Sequence, residues 1–208
     1  MKRILVLCLA LLCVFTACKK EKSTFLLDED GYGCTNAQTG VHYTALDFCY
    51  QPAKTGEEVG AYIRDEVEFT RTYYAIPEQD TALFLADDEG SVWYAGSAPL
   101  NPLEMTAEQI LVCENEAVSM ALFSFTAKEE GATVKALVDL WFEGAAVQKP
   151  DGTITLLRGV RLVFAELKNI HYCVNFCVIE GNGYLYDVGS GRAVAVPADL
   201  VAKLSGTN

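Results

Sequence analysis

Three short stretches of this chain carry the residues of a tight antiparallel turn. "NAQTG" (36–40) and "DVGSG" (187–191) each place an Asn or Asp ahead of a Ser or Thr and a glycine, and "DDEG" (87–90) is a related sequence. An Asx side chain that hydrogen-bonds its own backbone, followed by a glycine at positive φ, is typical of a hairpin turn with a bulge. Apolar and aromatic residues flank all three stretches. We therefore expect a chain built largely from antiparallel hairpins.

One segment predicts a long packed helix. Within 128–144 an apolar stripe recurs at i, i+3, i+4 and i+7 and stops before Gly144; it consists of Val134, Leu137, Val138 and Trp141. Shorter helices are predicted after a capping box formed by Thr55 and Glu58, in "TAEQILVC" (106–113) and in "PADLVAKL" (197–204). The order of strands and helices predicts an α+β fold of antiparallel sheets, built from hairpins and meanders, with one main packed helix.

The two halves of the chain share part of this pattern. "NAQTGVHY" aligns with "DVGSGRAV", and two prolines fall in the segment 97–105 that separates the halves. Prolines in a polar connection are typical of a boundary. We therefore predict an N-terminal α+β subdomain at 25–104 and a related C-terminal α+β subdomain at 105–208.

The first residues have the features of a secretory signal. Lys2 and Arg3 precede an apolar run at 4–15, which is too short to cross a bilayer as a helix. The run ends in "FTAC", which resembles the lipobox of bacterial lipoproteins. We therefore predict a lipoprotein signal peptide at 1–17, a lipidated Cys18, and a tether over 18–24. The alternative is a soluble secreted protein that is cleaved without lipidation.

The net negative charge of the chain makes some classes of binding partner unfavourable. The chain has a formal net charge of −12, from 16 basic and 28 acidic residues. Loss of 1–17 removes two basic residues and no acidic one, which leaves a charge of −14. A chain this acidic is repelled by phosphate backbones, so we expect no nucleic-acid partner. The expected partners are the membrane, through the N-terminal lipid, and a protein or glycan of the cell envelope.

The glycine-rich stretches do not match known ligand-binding loops. Gly181 and Gly183 are followed by the strand-like "YLYDV" and not by a helix whose amides face a phosphate. "GSG" at 189–191 lacks the Gly-x-Ser-x-Gly spacing of a hydrolase elbow. We interpret both as turns, interpret Asp187 as a turn-former, and expect no cofactor.

A strand centred on Asn175 carries the residues that most resemble a reactive site. Period-two spacing predicts that one face holds His171, Cys173, Asn175 and Cys177. The two thiols would lie about 13 Å apart along the strand, too far for one metal ion, so we predict no metal site. A catalytic pair of Cys34 or Cys49 with His171, oriented by Asn175, is the alternative to simple packing of small thiols between sheet and helix. Cys34 and Cys49 are also the one pair close enough in sequence to suspect a disulfide.

Aromatic residues give the best candidate for a binding surface. Two hairpins carry them at matching positions, "VWY" (92–94) and "YLY" (184–186). Aromatic faces bind sugars and peptides, although packing in the core is the alternative reading. The candidate surface consists of Trp93, Tyr94, Tyr184 and Tyr186.

Taken together, four features of the chain resemble those of uncharacterised small lipoproteins of Clostridia-like Gram-positive bacteria. They are the lipobox, "TGVHYTAL", the helix before "PDG" and "GYLYDVGSGR". That resemblance implies no activity. We expect a lipid-anchored extracytoplasmic protein that acts as a binding or interaction module at the cell envelope, with no convergent set of catalytic residues. The alternatives are an envelope hydrolase with an unrecognised Cys-His or carboxylate site and an accessory subunit of an envelope complex.

Overall fold

A computed structural model describes residues 22–64, 69–115 and 120–206. In these ranges the fold is mostly β, with 45% of the residues in strands and 16% in helices; they form a closed seven-stranded barrel, a second sheet and two α-helices. The prediction of an α+β fold, with hairpin sheets and one main helix, is therefore wrong. The strands are β1 Ser23–Leu27, β2 Gly33–Asn36, β3 His42–Ala45, β4 Tyr50–Pro52, β5 Glu58–Arg64, β6 Phe69–Ala75, β7 Phe84–Asp87, β8 Val92–Tyr94, β9 Ala107–Cys113, β10 Ala121–Thr126, β11 Ile154–Phe164, β12 Ile170–Ile179, β13 Asn182–Tyr186 and β14 Ala193–Val196. The helices are α1 Ala127–Glu143 and α2 Ala198–Ser205.

The barrel follows the order β1-β2-β3-β8-β7-β6-β5 and closes where β5 returns to β1. That closing pair is parallel, with Ser23 opposite Gly60, whereas the other neighbours in the barrel are antiparallel. Large side chains fill the interior, as is usual for a small barrel. They include Phe25, Cys34, Tyr43, Tyr73, Leu85 and Trp93.

The second sheet has the order β10-β9-β11-β12-β13-β14, and all its pairs are antiparallel. β4 lies between two barrel strands in sequence but pairs with β12, with Tyr50 opposite Tyr172. A strand from the first half of the chain thus extends the sheet of the second half.

The helix α1 has the boundaries and the buried face that the sequence predicts. Thr126 caps it by accepting a hydrogen bond from the amide of Glu129, and the buried residues include all four of the predicted stripe. These residues share one hydrophobic cluster with Ile110, Val112, Val174 and Phe176 of the sheet. The predicted helix at 197–204 is also confirmed, as α2.

Two predicted short helices are wrong. The segment after Thr55 forms β5, and "TAEQILVC" forms β9. In both segments pairing with distant strands overrides the local helix signals, because β5 closes the barrel and β9 is held between β10 and β11. No helix in the described ranges is long and apolar enough to cross a membrane.

Candidate functional site

Among the four candidate aromatic residues, Trp93 lines a cavity that is described below. Trp93 is 1% exposed and packs inside the barrel. Tyr94 is half-buried and stacks on Phe84, with 5.0 Å between the ring centroids. Tyr184 and Tyr186 are half-buried on β13 of the second sheet, where the Lys149 ammonium lies 5.5 Å from the Tyr186 ring. The four residues do not form a common surface. Cys18, the predicted lipidation site, lies outside the described residues.

Strand β12 packs on α1 with the face that holds Tyr172, Val174 and Phe176. Side chains alternate along a strand, so the opposite face carries His171, Cys173, Asn175 and Cys177. The expectation that these thiols pack between sheet and helix is therefore wrong. Burial, and then the charge of Arg161, lower the pKa of His171 to about 4. Burial raises the pKa of Cys173 to about 11.

The suspected Cys-His pairs are not formed. Cys34 is buried in the barrel, where burial raises the pKa of its thiol to about 11. Cys49 is part of the cluster that includes Tyr172, whereas His171 lies opposite Gln51 on the other face of the sheet. All five cysteines in the described ranges are free, Cys34 and Cys49 included. In the same ranges no three His, Cys, Asp or Glu side chains are grouped so that they could hold a metal ion.

A cavity of about 720 Å³ lies where the barrel meets the second sheet. We call it the seam cavity. Its barrel wall comes from β3, β6 and the β7–β8 hairpin, and its sheet wall comes from β12, the end of α1 and the β13–β14 turn. Five aromatic residues line it, namely Tyr32, Phe48, Trp93, Trp141 and Tyr172. A smaller cavity of about 320 Å³ shares Phe48, Asp187 and Gly189 with it.

The barrel wall is organised by Asp87, which is 2% exposed. Its Oδ2 accepts a hydrogen bond from Trp93 Nε1 at 3.0 Å and lies 3.7 Å from Arg71 Nε. The Arg71 guanidinium lies 5.4 Å from the centre of the Trp93 ring, and its Nη2 donates to Glu89 at 3.1 Å. Arg71 is therefore held against the tryptophan by two carboxylates and a cation–π contact.

The sheet wall has a second arginine–tryptophan contact. Arg192 lies 5.4 Å from the centre of the Trp141 ring, and its Nη2 donates to the carbonyl oxygens of Trp141 at 2.8 Å and Gly144 at 2.9 Å. Those carbonyls belong to the end of α1, where helices leave acceptors without an internal partner. A cation at this end also complements the helix dipole. Arg192 thus both caps α1 and lines the cavity.

A chain of polar side chains runs under the cavity floor. Trp141, Tyr172, Cys49 and Asp187 follow one another in it, and both Tyr172 and Asp187 affect the pKa of the Cys49 thiol. Burial is the main cause that raises the pKa of Cys49 to about 12. A thiol with so high a pKa is a hydrogen-bonding group at neutral pH and not a nucleophile.

Two carboxylates, those of Asp47 and Asp187, lie where this chain meets the cavity. Oδ1 of Asp47 accepts from the Cys49 amide at 2.9 Å, and Oδ2 of Asp187 accepts from the Ser190 amide at 2.7 Å. Burial, together with the charge of Asp187, raises the pKa of Asp47. Burial alone would raise the pKa of Asp187 as well, but hydrogen bonds from Ser190 and Gly189 outweigh it and lower that pKa.

Sequence reasoning missed most of this site. Asp187 does form the predicted turn, yet its side chain also lines the cavity. Arg71, Asp47 and Trp141 could not be recognised as cavity residues, because the partners that place them there, Asp87, Asp187 and Arg192, are far away in sequence. Comparisons of the chain with known protein families, with curated proteins and with solved structures find no match.

Proposed function

We propose that this protein is a lipid-anchored, extracytoplasmic binding protein whose ligand occupies the seam cavity. The observation that carries the proposal is the cavity itself, about 720 Å³ and lined by five aromatic residues with a few charged groups. Ligand sites in proteins are typically concave, in the range of about 300–1,000 Å³, and mostly apolar with a small number of placed polar groups.

The walls of the cavity support binding because their side chains are fixed before a ligand arrives. Trp93 is held by Asp87, and Trp141 by Arg192 and Tyr172. A preorganised site loses less conformational entropy on binding than a mobile one. Two exposed residues, Tyr32 and Phe48, flank this rigid interior, and Phe48 is 78% exposed. They are the groups that a bound ligand would cover.

The N-terminal sequence supports the proposed location. The apolar run at 4–15 and the lipobox ending at Cys18 support export and lipid attachment, and the resemblance to small lipoproteins of Gram-positive bacteria agrees with them. Two acyl chains on one cysteine hold a protein at a membrane far better than one chain does. A membrane-tethered binding protein keeps its ligand near the cell surface.

A cavity-filling substitution tests the binding site. Ser91 lines the cavity, and none of the described hydrogen bonds uses its side chain, so Ser91→Tyr should fill the space with little effect on folding. The probe is 2-phenylethanol, observed by saturation-transfer NMR on the mature chain. We expect saturation transfer with the unmodified protein and its loss in Ser91→Tyr. Ser97→Tyr, at an exposed position outside the cavity, is the matched control and should bind the probe normally. Equal transfer in both variants would show that the cavity is not the site.

The anchor has its own test. Metabolic labelling with a fatty acid should label the protein in a bacterial host, and Cys18→Ala should remove the label and release the protein from the membrane fraction. An unlabelled protein, or a Cys18→Ala variant that stays on the membrane, would contradict the anchor and leave the cavity proposal standing.

A further inference from the structure

We propose that the ligand of the seam cavity is a protonated primary amine with an apolar body, whose ammonium group is bound by the carboxylates of Asp47 and Asp187. This deepens the proposed binding function and rests on it. The argument compares the hydrogen-bond donors and acceptors that the cavity walls present.

Both arginines of the cavity already have protein acceptors. Arg71 is paired with Asp87 and Glu89, and Arg192 donates to backbone carbonyls at the end of α1. These acceptors use N–H groups that an anion would otherwise bind, and at Arg71 the two carboxylates also offset the positive charge. The two cations therefore serve to orient the tryptophan rings.

The cavity walls also present carboxylate acceptors with free lone pairs. A carboxylate has about four lone-pair sites, of which turn amides use one at Asp47 and two at Asp187. The indole N–H of Trp93 is not available to a ligand in the same way, because it donates to Asp87. The cavity thus has spare acceptors at Asp47 and Asp187, and a ligand that complements them must bring donors.

The two carboxylates lack a charged partner in the protein. Within the described ranges no lysine or arginine forms an ion pair with Asp47 or Asp187. Their partners are instead turn amides, the Ser190 hydroxyl and the Cys49 thiol, all of them neutral. Two like charges meet around one sulfur atom, so a cation bound between them would relieve their repulsion. The ligand-facing charge of the cavity is therefore negative.

An aromatic ring completes the arrangement. Phe48 lies beside the β13–β14 turn, since a Cβ built on Gly189 would be 3.8 Å from Phe48 Cδ2. Phe48 and Asp187 line the same cavity, so a cation bound by the carboxylate is close to the ring. Ammonium groups near an aromatic face gain a further cation–π attraction, and the apolar body of the ligand would pack on the remaining rings.

The chain provides a reporter for the test. It contains two tryptophans, Trp93 and Trp141, and both line the seam cavity, so intrinsic fluorescence reports on binding there. Three probes share one aromatic body and differ in the polar group: 2-phenylethylamine, 2-phenylethanol and 3-phenylpropionate. We expect the amine to bind at least about tenfold more tightly than the alcohol, and the carboxylate to bind most weakly.

Isosteric variants then locate the charge. Asp47→Asn keeps the oxygen that accepts the Cys49 amide, and Asp187→Asn keeps one of the two oxygens that accept the Gly189 and Ser190 amides. Both variants remove the negative charge, and because the 189–190 turn is exposed, the loss of one of its bonds should leave the fold intact. Each should weaken amine binding by about tenfold and leave alcohol binding unchanged. Asp80→Asn is the matched control, because Asp80 is exposed, forms the same kind of turn with Ala82, and lies outside the cavity. It should leave the affinity for all three probes unchanged.

The outcomes separate the two proposals. If the alcohol binds as well as the amine, or if the Asn variants bind the amine normally, the amine proposal is wrong and the binding cavity survives. Preference for 3-phenylpropionate would likewise overturn the amine proposal alone. If none of the probes changes the tryptophan fluorescence, and 2-phenylethanol also gives no saturation transfer, both proposals fail together.

Discussion

Asp87 connects the stability of the barrel with the shape of the cavity. One carboxylate accepts the Trp93 indole N–H on Oδ2 and the amides of Glu89 and Ser91 on Oδ1. The first contact fixes a cavity wall, and the other two form the β7–β8 turn. "DDEG" could be predicted to be a turn because an Asx side chain bonds its own backbone there. Its contact with Trp93 could not be predicted, because it depends on the ring being inside a closed barrel.

Asp87→Asn should destabilise the fold by about 2–3 kcal/mol. An amide has one acceptor oxygen, so its NH₂ group must face either the turn amides or the Trp93 N–H and leave a buried donor without an acceptor. Chemical denaturation of both proteins gives the free energy of unfolding. Asp80→Asn, the same change at an exposed turn, should cost less than about 0.5 kcal/mol. Equal stability of the two variants would contradict this role of Asp87.

His171 should make the protein less stable in acid. Burial and the charge of Arg161 lower its pKa from its usual value of 6.5 to about 4. Below about pH 6.5 the unfolded chain therefore binds a proton at this site that the folded chain does not bind until about pH 4. Stability falls across that window as the pH decreases. In His171→Gln the loss of thermal stability between about pH 7.5 and about pH 4.5 should be smaller than in the unmodified protein.

The same pair of proteins contains an internal control for this prediction. Above about pH 7.5 the imidazole is neutral in both the folded and the unfolded state, so the melting temperatures of the two proteins should differ by a constant amount there. An equal acid-induced loss in both proteins would show that His171 does not contribute.

At the scale of elements, the sequence predicts those whose signals are local. The hairpin turns, α1 and α2 are all present. The segments after Thr55 and at 106–113 were predicted to be helices because capping residues and apolar spacing are also local signals. Their strand structure depends on partners far away in sequence, and such tertiary pairing outweighs a weak helix propensity.

The strand β5 contains the residue that permits closure of the barrel. A Cβ on Gly60 would lie 1.9 Å from the carbonyl oxygen of Ser23, so the close parallel approach of β1 and β5 requires a glycine. Gly60→Ala should therefore separate the two strands and destabilise the protein by about 3 kcal/mol. Hydrogen exchange at the amides of β1 should also increase strongly. Chemical denaturation would measure the loss of stability, and hydrogen-exchange mass spectrometry would measure the exchange in β1.

The matched control for Gly60→Ala is Gly131→Ala in α1. A Cβ at Gly131 meets no atom within 4 Å, so alanine should stabilise the helix by about 0.5–1 kcal/mol. If the two alanine variants have the same stability, or if exchange in β1 does not change, closure does not depend on Gly60.

At the scale of the whole molecule, the barrel and the second sheet share one hydrophobic cluster. β7 is buried on both faces: Leu85 points into the barrel, whereas Phe84 and Ala86 pack with residues of the sheet and α1. β4 adds a backbone connection to β12. The fold class could not be predicted because it is decided by these contacts and by the single β1–β5 closure, none of which leaves a periodic pattern in the sequence.

This shared core predicts that the two halves unfold together, and the prediction bears on the proposed subdomain boundary between residues 104 and 105. Trp141→Phe leaves Trp93 as a reporter of the barrel, and Trp93→Phe leaves Trp141 as a reporter of the sheet and α1. In each single-tryptophan protein the fluorescence and circular-dichroism midpoints should coincide.

Adding Phe84→Ala to both single-tryptophan proteins makes the test stricter. Phe84 is a residue of the barrel, but its side chain belongs to the cluster that contains α1, so its truncation should lower the free energy of unfolding by about 3–4 kcal/mol at both reporters. If the halves were independent, the same substitution would lower the midpoint reported by Trp93 and leave the midpoint reported by Trp141 unchanged. Because the seam cavity takes one wall from each half, a single cooperative transition would also mean that its walls are lost together whenever the protein unfolds.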